Sequence, residues 1–206
     1  MHISEGVLSP AVLTCGAGIA LIGVAIGLKK MRLDQISLTG AMSAVFFVAS
    51  LIHVPVGVAN AHLILCGLCG VILGWASFPA IFTALLLQAV LFQYGGLTTI
   101  GVNTASMGLG AVCAWYIFGF LYRISPGHLK IAGFIGGAAG VAISAILTAA
   151  SLAFTNESFM TAALALLAAH LPVMITEGIV TAFTVAFLAH TKPDLLNINM
   201  LQRNPA

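Results

Sequence analysis

Long apolar runs alternate with short polar segments along almost the whole chain. Seven of these runs approach or exceed the length of about 20 predominantly apolar residues that one membrane crossing takes, so they predict membrane-spanning helices. Glycine and proline mark the turns between several of them. The predicted spans cover residues 8–28, 37–54, 61–76, 79–94, 104–122, 130–154 and 158–189. The pattern therefore predicts an all-α polytopic membrane protein, with a single domain that covers residues 1–206.

The last apolar run is longer than one crossing needs, and Pro172 lies near its middle. Proline removes a backbone hydrogen bond and bends or interrupts a helix. The sequence therefore predicts either one kinked or overhanging helix over 158–189 or a re-entrant half-helix that ends before Pro172.

Composition agrees with a membrane protein. The chain is 61% hydrophobic and 6% charged, whereas soluble domains carry about 25% charged residues. So few charges exclude a water-facing surface, and the absence of a basic patch excludes nucleic acid as a partner. Cys66 and Cys69 form C-x-x-C inside an apolar run, so we interpret them as packing residues rather than as a zinc or redox motif.

The basic residues choose an orientation. With seven spans, all seven Lys and Arg residues fall on one side of the membrane, and that side is expected to be cytoplasmic. The N-terminus is then extracellular and the C-terminus cytoplasmic. Residues 1–7 carry no Lys or Arg, which is unlike a cleaved signal peptide. The basic residues are Lys29, Lys30, Arg32, Arg123, Lys130, Lys192 and Arg203.

The first two residues have the composition of a chelator. The α-amine of Met1, the backbone amide nitrogen of His2 and its imidazole can bind one ion through fused rings. Three nitrogens in a plane leave one corner open, and planar nitrogen coordination favours Ni(II) or Cu(II). The alternative is that residue 2 is simply a variable position.

Three further residues are predicted on the same extracellular side. His62 either supplies a fourth nitrogen to the site or hydrogen-bonds a loop carbonyl. His53 is a candidate outer-shell or capture residue. Asn103 follows the Gly-rich segment 93–102, where it either orients a ligand or satisfies loop backbone groups.

His170 and Glu177 are seven residues apart and therefore share one helix face. A carboxylate inside the membrane is costly and usually functional, but a hydrogen-bonded packing role is equally open. Two alternative functions depend on this pair. One is a secondary metal transporter that uses Glu177 as a proton site, and the other is an intramembrane metalloenzyme centred on His170 and Glu177. The H-E-x-x-H motif that would favour the enzyme does not occur in the sequence.

Four segments distributed along the chain resemble one family. The segments MHISEGVLSP, HVPVGVANAHLILCG, LLLQAVLFQYGGLTTIGVN and HLPVMITEGIVTAF are similar to the nickel- and cobalt-specific substrate-capture subunits (NikM/CbiM type) of energy-coupling-factor transporters. The resemblance implies a six-helix core with one added N-terminal helix in a prokaryotic plasma membrane. It also implies a metal site made by the Met1 amine, the His2 amide and imidazole, and the His62 imidazole.

The same resemblance implies a function and a set of partners. The chain would bind Ni(II) with high affinity, and Co(II) second, as transported ions and without a catalytic cofactor. It would not be an enzyme. Its partners would be a transmembrane coupling subunit, two cytoplasmic ATPase subunits and a small accessory membrane subunit, in contact with membrane lipid. The chain contains no G-x-x-x-x-G-K-[ST], so ATP hydrolysis by that device falls to the partners.

Overall fold

Helices form nearly all of the described structure. The computed structural model describes the backbone of residues 3–51, 53–56 and 59–196, and the side chains of residues 3–51 and 63–196. The helices are α1 (Pro10–Lys30), α2 (Ile36–Ala49), α3 (Cys66–Leu73), α4 (Ser77–Phe92), α5 (Ile100–Ile124), α6 (Leu129–Thr155) and α7 (Met160–Thr191). One antiparallel hairpin, β1 (His53–Val56) and β2 (Ala59–His62), joins α2 to α3. The predicted α-helical class is confirmed.

The number of crossings is not confirmed by helix length. Among the described residues, five helical segments are long and apolar enough to span a membrane, and a shorter apolar helix covers Leu33–Ala49. The five segments are Pro10–Lys30, Cys66–Phe92, Ile100–Ile124, Pro126–Thr155 and Glu157–Thr191. The coarser prediction of a multi-pass membrane protein therefore holds.

Two predicted spans meet at the hairpin and have different boundaries in the structure. The span predicted over 37–54 ends as a helix at Ala49, and the one predicted over 61–76 becomes helical only at Cys66. Residues between them are apolar, but they include Pro55 and Gly57 and the β-branched Val54 and Val56. Hydropathy does not distinguish a short buried strand from a helix, so the sequence pattern extended both helices too far.

Helix α7 is continuous through Pro172 and runs for 32 residues from Met160 to Thr191. The structure therefore contradicts the alternative of a re-entrant half-helix that ends before Pro172. The Thr176 hydroxyl donates to the Pro172 carbonyl at 2.9 Å, one turn further along. A helix of this length exceeds the about 20 residues of one crossing, which fits the predicted overhang.

Helix α3 begins near the middle of the bundle and ends beside the last turn of α1. At its first turn Gly67 packs against the backbone of α6, where a Cβ would lie 2.5 Å from the Gly137 carbonyl oxygen. After its last residue, the Trp75 ring lies 5.0 Å from the Lys30 ammonium. Gly74, with φ 58° and ψ −125°, adopts a conformation that side chains disfavour. It makes the turn from α3 into α4.

Helix α4 then runs back along α1. Near its start, Pro79 lies against Gly27 at the C-terminal end of α1, and Phe78 lies against Gly23. Beyond its end, Gly96 lies against the Glu5 side chain, before the start of α1. The core between these helices contains all eight residues of α3, each of which is buried.

Candidate metal centre

The residues predicted to bind metal lie at the edge of what the structure describes. Met1 and His2 lie outside the described residues. His53 and His62 are described as backbone only, as register partners at the open end of the hairpin. Asn103 is fully described and buried. The positions next to the predicted ligands therefore define the candidate centre.

The segment that follows His2 is fastened to the first turns of α5. The Ile3 amide donates to Asn103 Oδ1 at 3.1 Å. The Ile3 carbonyl accepts from Thr99 Oγ1 at 2.9 Å and from Asn103 Nδ2 at 3.3 Å. Asn103 thus bonds both backbone groups of Ile3, which immediately follows the predicted chelating residues. This geometry matches a role for Asn103 in orienting the N-terminal segment.

A second set of contacts extends this attachment. The Thr98 amide donates to Glu5 Oε1 at 3.1 Å. Gly96 approaches Glu5 so closely that a Cβ there would lie 2.6 Å from the carboxyl carbon. The Ser9 amide donates to Thr155 Oγ1 at 3.3 Å. Residues 3–9 are therefore attached to both the Gly-rich loop and the end of α6.

Glu177 is attached to the segment that follows His62. Its side chain is fully buried, and its Oε1 accepts hydrogen bonds from the amides of Ile64 and Leu65. Within the described part of the chain, its other oxygen, Oε2, has no hydrogen-bond partner. Strand β2 also packs against α7. Glu177 therefore connects α7 to the backbone between β2 and α3.

His170 and Glu177 bond different parts of the molecule. The His170 Nδ1 atom lies 2.7 Å from the Leu166 carbonyl oxygen of its own helix. Among the residues that the structure describes, no group of three or more His, Cys, Asp or Glu side chains could hold a metal. The described structure therefore gives the hypothesis of a metalloenzyme centred on this pair no support.

Cys66 and Cys69 are buried free thiols. The Cys66 sulfur lies 3.4 Å from the Ser144 hydroxyl on α6. Cys69 belongs to the same apolar cluster as Ile72 and Ala111. These surroundings agree with the interpretation of both residues as packing residues.

One protein-family model matches nearly the whole chain. A family model described as "CbiM: Cobalt uptake substrate-specific transmembrane region" matches residues 2–195. The chain belongs to the CbiM family. The match includes His2, the hairpin, Asn103 and Glu177.

Relatives with transport names cover nearly the whole chain. A "Putative metal transport protein" of Haemophilus influenzae is 39% identical, over 96% of this chain and 97% of its own length. The "Cobalt transport protein CbiM" of Sorangium cellulosum is 33% identical, over 96% and 95%. The "Fused nickel transport protein NikMN" of Rhodobacter capsulatus is 31% identical, over 95% of this chain and 64% of its own length.

A solved structure shares the CbiM-family fold seen here. The chain matches the "Crystal Structure of an transition metal transporter" with a TM-score of 0.81 and 23% identity, over 99% of this chain and 100% of the other. Because the relatives are named as metal transport proteins rather than enzymes, the prediction that the chain is not an enzyme is confirmed.

Several residues of the centre were not expected from sequence. Thr99 and Glu5 hold the N-terminal segment, but neither residue type has a distinctive spacing there. The one available signal was the separation of Thr99 and Asn103 by four residues, which places both on one face of a helix. That signal becomes informative only when a helix is known to begin at Ile100.

Proposed function

We propose that this CbiM-family chain captures Ni(II), and Co(II) second, on the extracellular side of the membrane. The proposed donors are the Met1 amine, the His2 amide nitrogen and imidazole, and the His62 imidazole. In this proposal the chain is the substrate-binding subunit of an ATP-driven energy-coupling-factor transporter. His53 and Asn103 act around the donors, His53 in capture or orientation and Asn103 in holding the N-terminal segment.

One observation carries the proposal: both backbone groups of Ile3 are bonded by buried side chains of the α5 region. The first residues of most domains are poorly ordered unless something ties them down. Burying polar groups destabilises a fold unless all of them are hydrogen-bonded. We therefore do not expect a buried hydrogen-bond network around a terminus that has no function. Such a network is the expected support for a chelate whose first donor is the terminal amine, because that chelate requires the amine at a fixed position.

The preference for nickel is supported by the donor set. Four nitrogens that include a deprotonated amide form a planar field, which suits Ni(II) better than Co(II). The names of the relatives include both cobalt and nickel transport, so family membership alone does not select the ion. The preference depends on His62 as the fourth donor.

The proposed path through the membrane has seven passes. In this path the hairpin, residues 63–65 and α3 together make the third pass, and α4 makes the fourth. Two observations support it: α3 starts beside Glu177 in the middle of α7, and Trp75 lies beside Lys30. Non-helical backbone at membrane depth is tolerated where it is buried in protein, and Ile64 and Leu65 are buried.

The proposed partners include the subunits that supply energy by ATP hydrolysis. They are a transmembrane coupling subunit, two cytoplasmic ATPase subunits and a small accessory membrane subunit. The fused name of the Rhodobacter relative supports further transport components.

The test of the proposed donors changes the N-terminus by one residue. An uncleaved residue added before Met1 converts the terminal amine into an amide, and we expect Ni(II) affinity to fall more than about 100-fold, beyond the usual effect of outer-shell changes. His2→Ala and His62→Ala are expected to do the same, and His53→Ala to have a smaller effect. Isothermal titration of the purified protein in detergent measures each affinity.

The matched control is His128→Ala, an exposed histidine after α5 that leaves the proposed donors unchanged. It is expected to bind Ni(II) like the native chain. Native affinity in the extended protein would rule out the amine chelate. A larger loss for His53→Ala than for His62→Ala would exchange the roles of these two residues.

A further inference from the structure

The carboxylate of Glu177 occupies an unusual position for a charged group. It lies near the middle of α7 and is fully buried. Burial of an unpaired carboxylate at membrane depth is costly. Here the Oε1 atom accepts hydrogen bonds from the backbone amides of two consecutive residues, Ile64 and Leu65. The hydrogen bonds from this backbone segment therefore compensate for the burial of the carboxylate.

The segment it bonds is the start of α3. Leu65 is the N-cap of that helix and has φ 57° and ψ 18°, a left-handed conformation that is uncommon for residues with a side chain. Such conformations persist where the surroundings enforce them. Consecutive amides that converge on one anion form a nest, and the helix dipole at α3 adds to the attraction. Glu177 thus holds Leu65 in place and fixes the first turn of α3.

His62 is only two residues before Ile64 and is the last residue of β2. Consecutive Cα atoms are about 3.8 Å apart. Because one residue separates them, a fixed Ile64 limits the Cα of His62 to a sphere of about 7.6 Å radius. Strand β2 also packs against α7. The position of His62 therefore depends on the bonds that Glu177 makes.

We propose that Glu177 is a positioning residue for the metal site, which sets His62 at the distance that the N-terminal chelate requires. This inference rests on the proposed function. In this proposal, different side chains hold the two parts of the chain that supply the metal donors. Asn103 and Thr99 on the α5 side hold the segment after His2, and Glu177 on α7 holds the segment after His62.

The test compares two substitutions of Glu177 with a control one turn away. Glu177→Gln keeps an acceptor oxygen but loses the charge, and Glu177→Leu removes the acceptor. The control is Thr181→Val, because Thr181 is also fully buried on α7 and its hydroxyl has no partner within the described structure. Each full-length protein is purified in detergent. Ni(II) affinity is measured by titration, and amide hydrogen exchange is measured over residues 62–68.

We expect Ni(II) affinity and amide hydrogen exchange to change together. Glu177→Leu weakens Ni(II) binding by about 10–100-fold, the usual effect of losing an outer-shell partner, and Glu177→Gln weakens it less. Exchange at Ile64 and Leu65 becomes faster in the same order. Thr181→Val changes neither. If Glu177→Leu does not fold, the near-isosteric Glu177→Gln decides the question alone.

Faster exchange with native Ni(II) affinity would overturn the inference, because Glu177 would then hold α3 without positioning a ligand. Unchanged exchange in Glu177→Gln together with native affinity would overturn it as well. His2→Ala separates this from failure of the proposed function. If His2→Ala binds Ni(II) like the native chain, the donor set is wrong. If His2→Ala loses binding while both Glu177 variants keep it, only the positioning role fails.

Discussion

At the scale of single residues, the carboxamide of Asn103 is suited to the groups it meets. An asparagine side chain offers both an acceptor and a donor, and the Ile3 backbone presents one of each. Leucine would satisfy neither group, and aspartate would satisfy only the amide. Asparagine is therefore required because one buried side chain bonds both the amide and the carbonyl of Ile3.

This requirement leads to a prediction for Asn103→Leu and Asn103→Asp. Asn103→Leu leaves the buried Ile3 amide without its partner, which costs about 1–3 kcal/mol. In Asn103→Asp the Ile3 carbonyl loses the bond from Asn103 and keeps the one from Thr99 Oγ1. Because Ile3 follows the proposed chelate, we expect Ni(II) affinity to fall about 10–100-fold. Titration of purified protein measures the loss. Ser106→Ala is the control, since the Ser106 hydroxyl donates to the Asn103 carbonyl of its own helix and, among the described residues, is not bonded to the N-terminal segment. Native affinity in Asn103→Leu would show that the N-terminal segment is held by other contacts.

At the scale of elements, the short helix α3 is held by close backbone contacts. Gly67 faces α6, and Gly70 faces the Ala111 carbonyl of α5 so closely that a Cβ would overlap it. Small residues allow helix backbones to approach in this way inside membranes. Eight residues make a helix too short to be stable by itself, so α3 depends on these contacts with α5 and α6.

A single methyl group tests that dependence. Gly70→Ala is expected to lower the free energy of unfolding by about 1–3 kcal/mol, because the new Cβ meets a rigid backbone rather than a flexible side chain. Gly18→Ala in α1 is the matched control, since no atom of the described residues lies within 4 Å of a Cβ there. The control is expected to be neutral or stabilising by up to about 1 kcal/mol, because alanine favours helices. Thermal unfolding in detergent compares the two, and equal Tm values would contradict the packing at Gly70.

At the scale of the whole molecule, the basic residues among positions 3–196 lie toward one end of the helix bundle. Lys30 lies over Trp75, and the Trp75 indole nitrogen donates to the Tyr116 hydroxyl at 3.3 Å. These contacts bring the end of α1, the turn after α3 and the last part of α5 together. The opposite end carries Glu5 beside the Gly-rich loop. From the positive-inside rule we expect the basic end to be cytoplasmic.

The orientation is tested with single cysteines in a chain that lacks the native thiols. We expect an impermeant thiol reagent to label Ser4→Cys and Ser158→Cys in whole cells, since both positions are exposed at the acidic end. Gly127→Cys and Met200→Cys are expected to react only after permeabilisation. Labelling of the second pair but not the first in intact cells would reverse the orientation.

The sequence by itself determined the class of protein and supplied the donors that we propose for its candidate site. Apolar runs of helix length predict helices in lipid, because a helix satisfies all of its own backbone groups. Met1 and His2 were proposed as donors from the chemistry of an amine, an amide and an imidazole in consecutive residues, without any knowledge of the packing. Pro172 was an exception, since the sequence left the continuity of α7 open and the structure shows one helix.

Only the tertiary structure decided which groups support that site. Asn103 meets Ile3 across 100 positions of sequence, and Glu177 meets Ile64 across 113. Such pairs arise from how helices pack, and no local pattern encodes them in one sequence. The hairpin was missed for a related reason: hydropathy does not distinguish a short strand from a helix, and the contacts that accompany it, between strand β2 and α7 and between Glu177 and the amides of Ile64 and Leu65, are long-range.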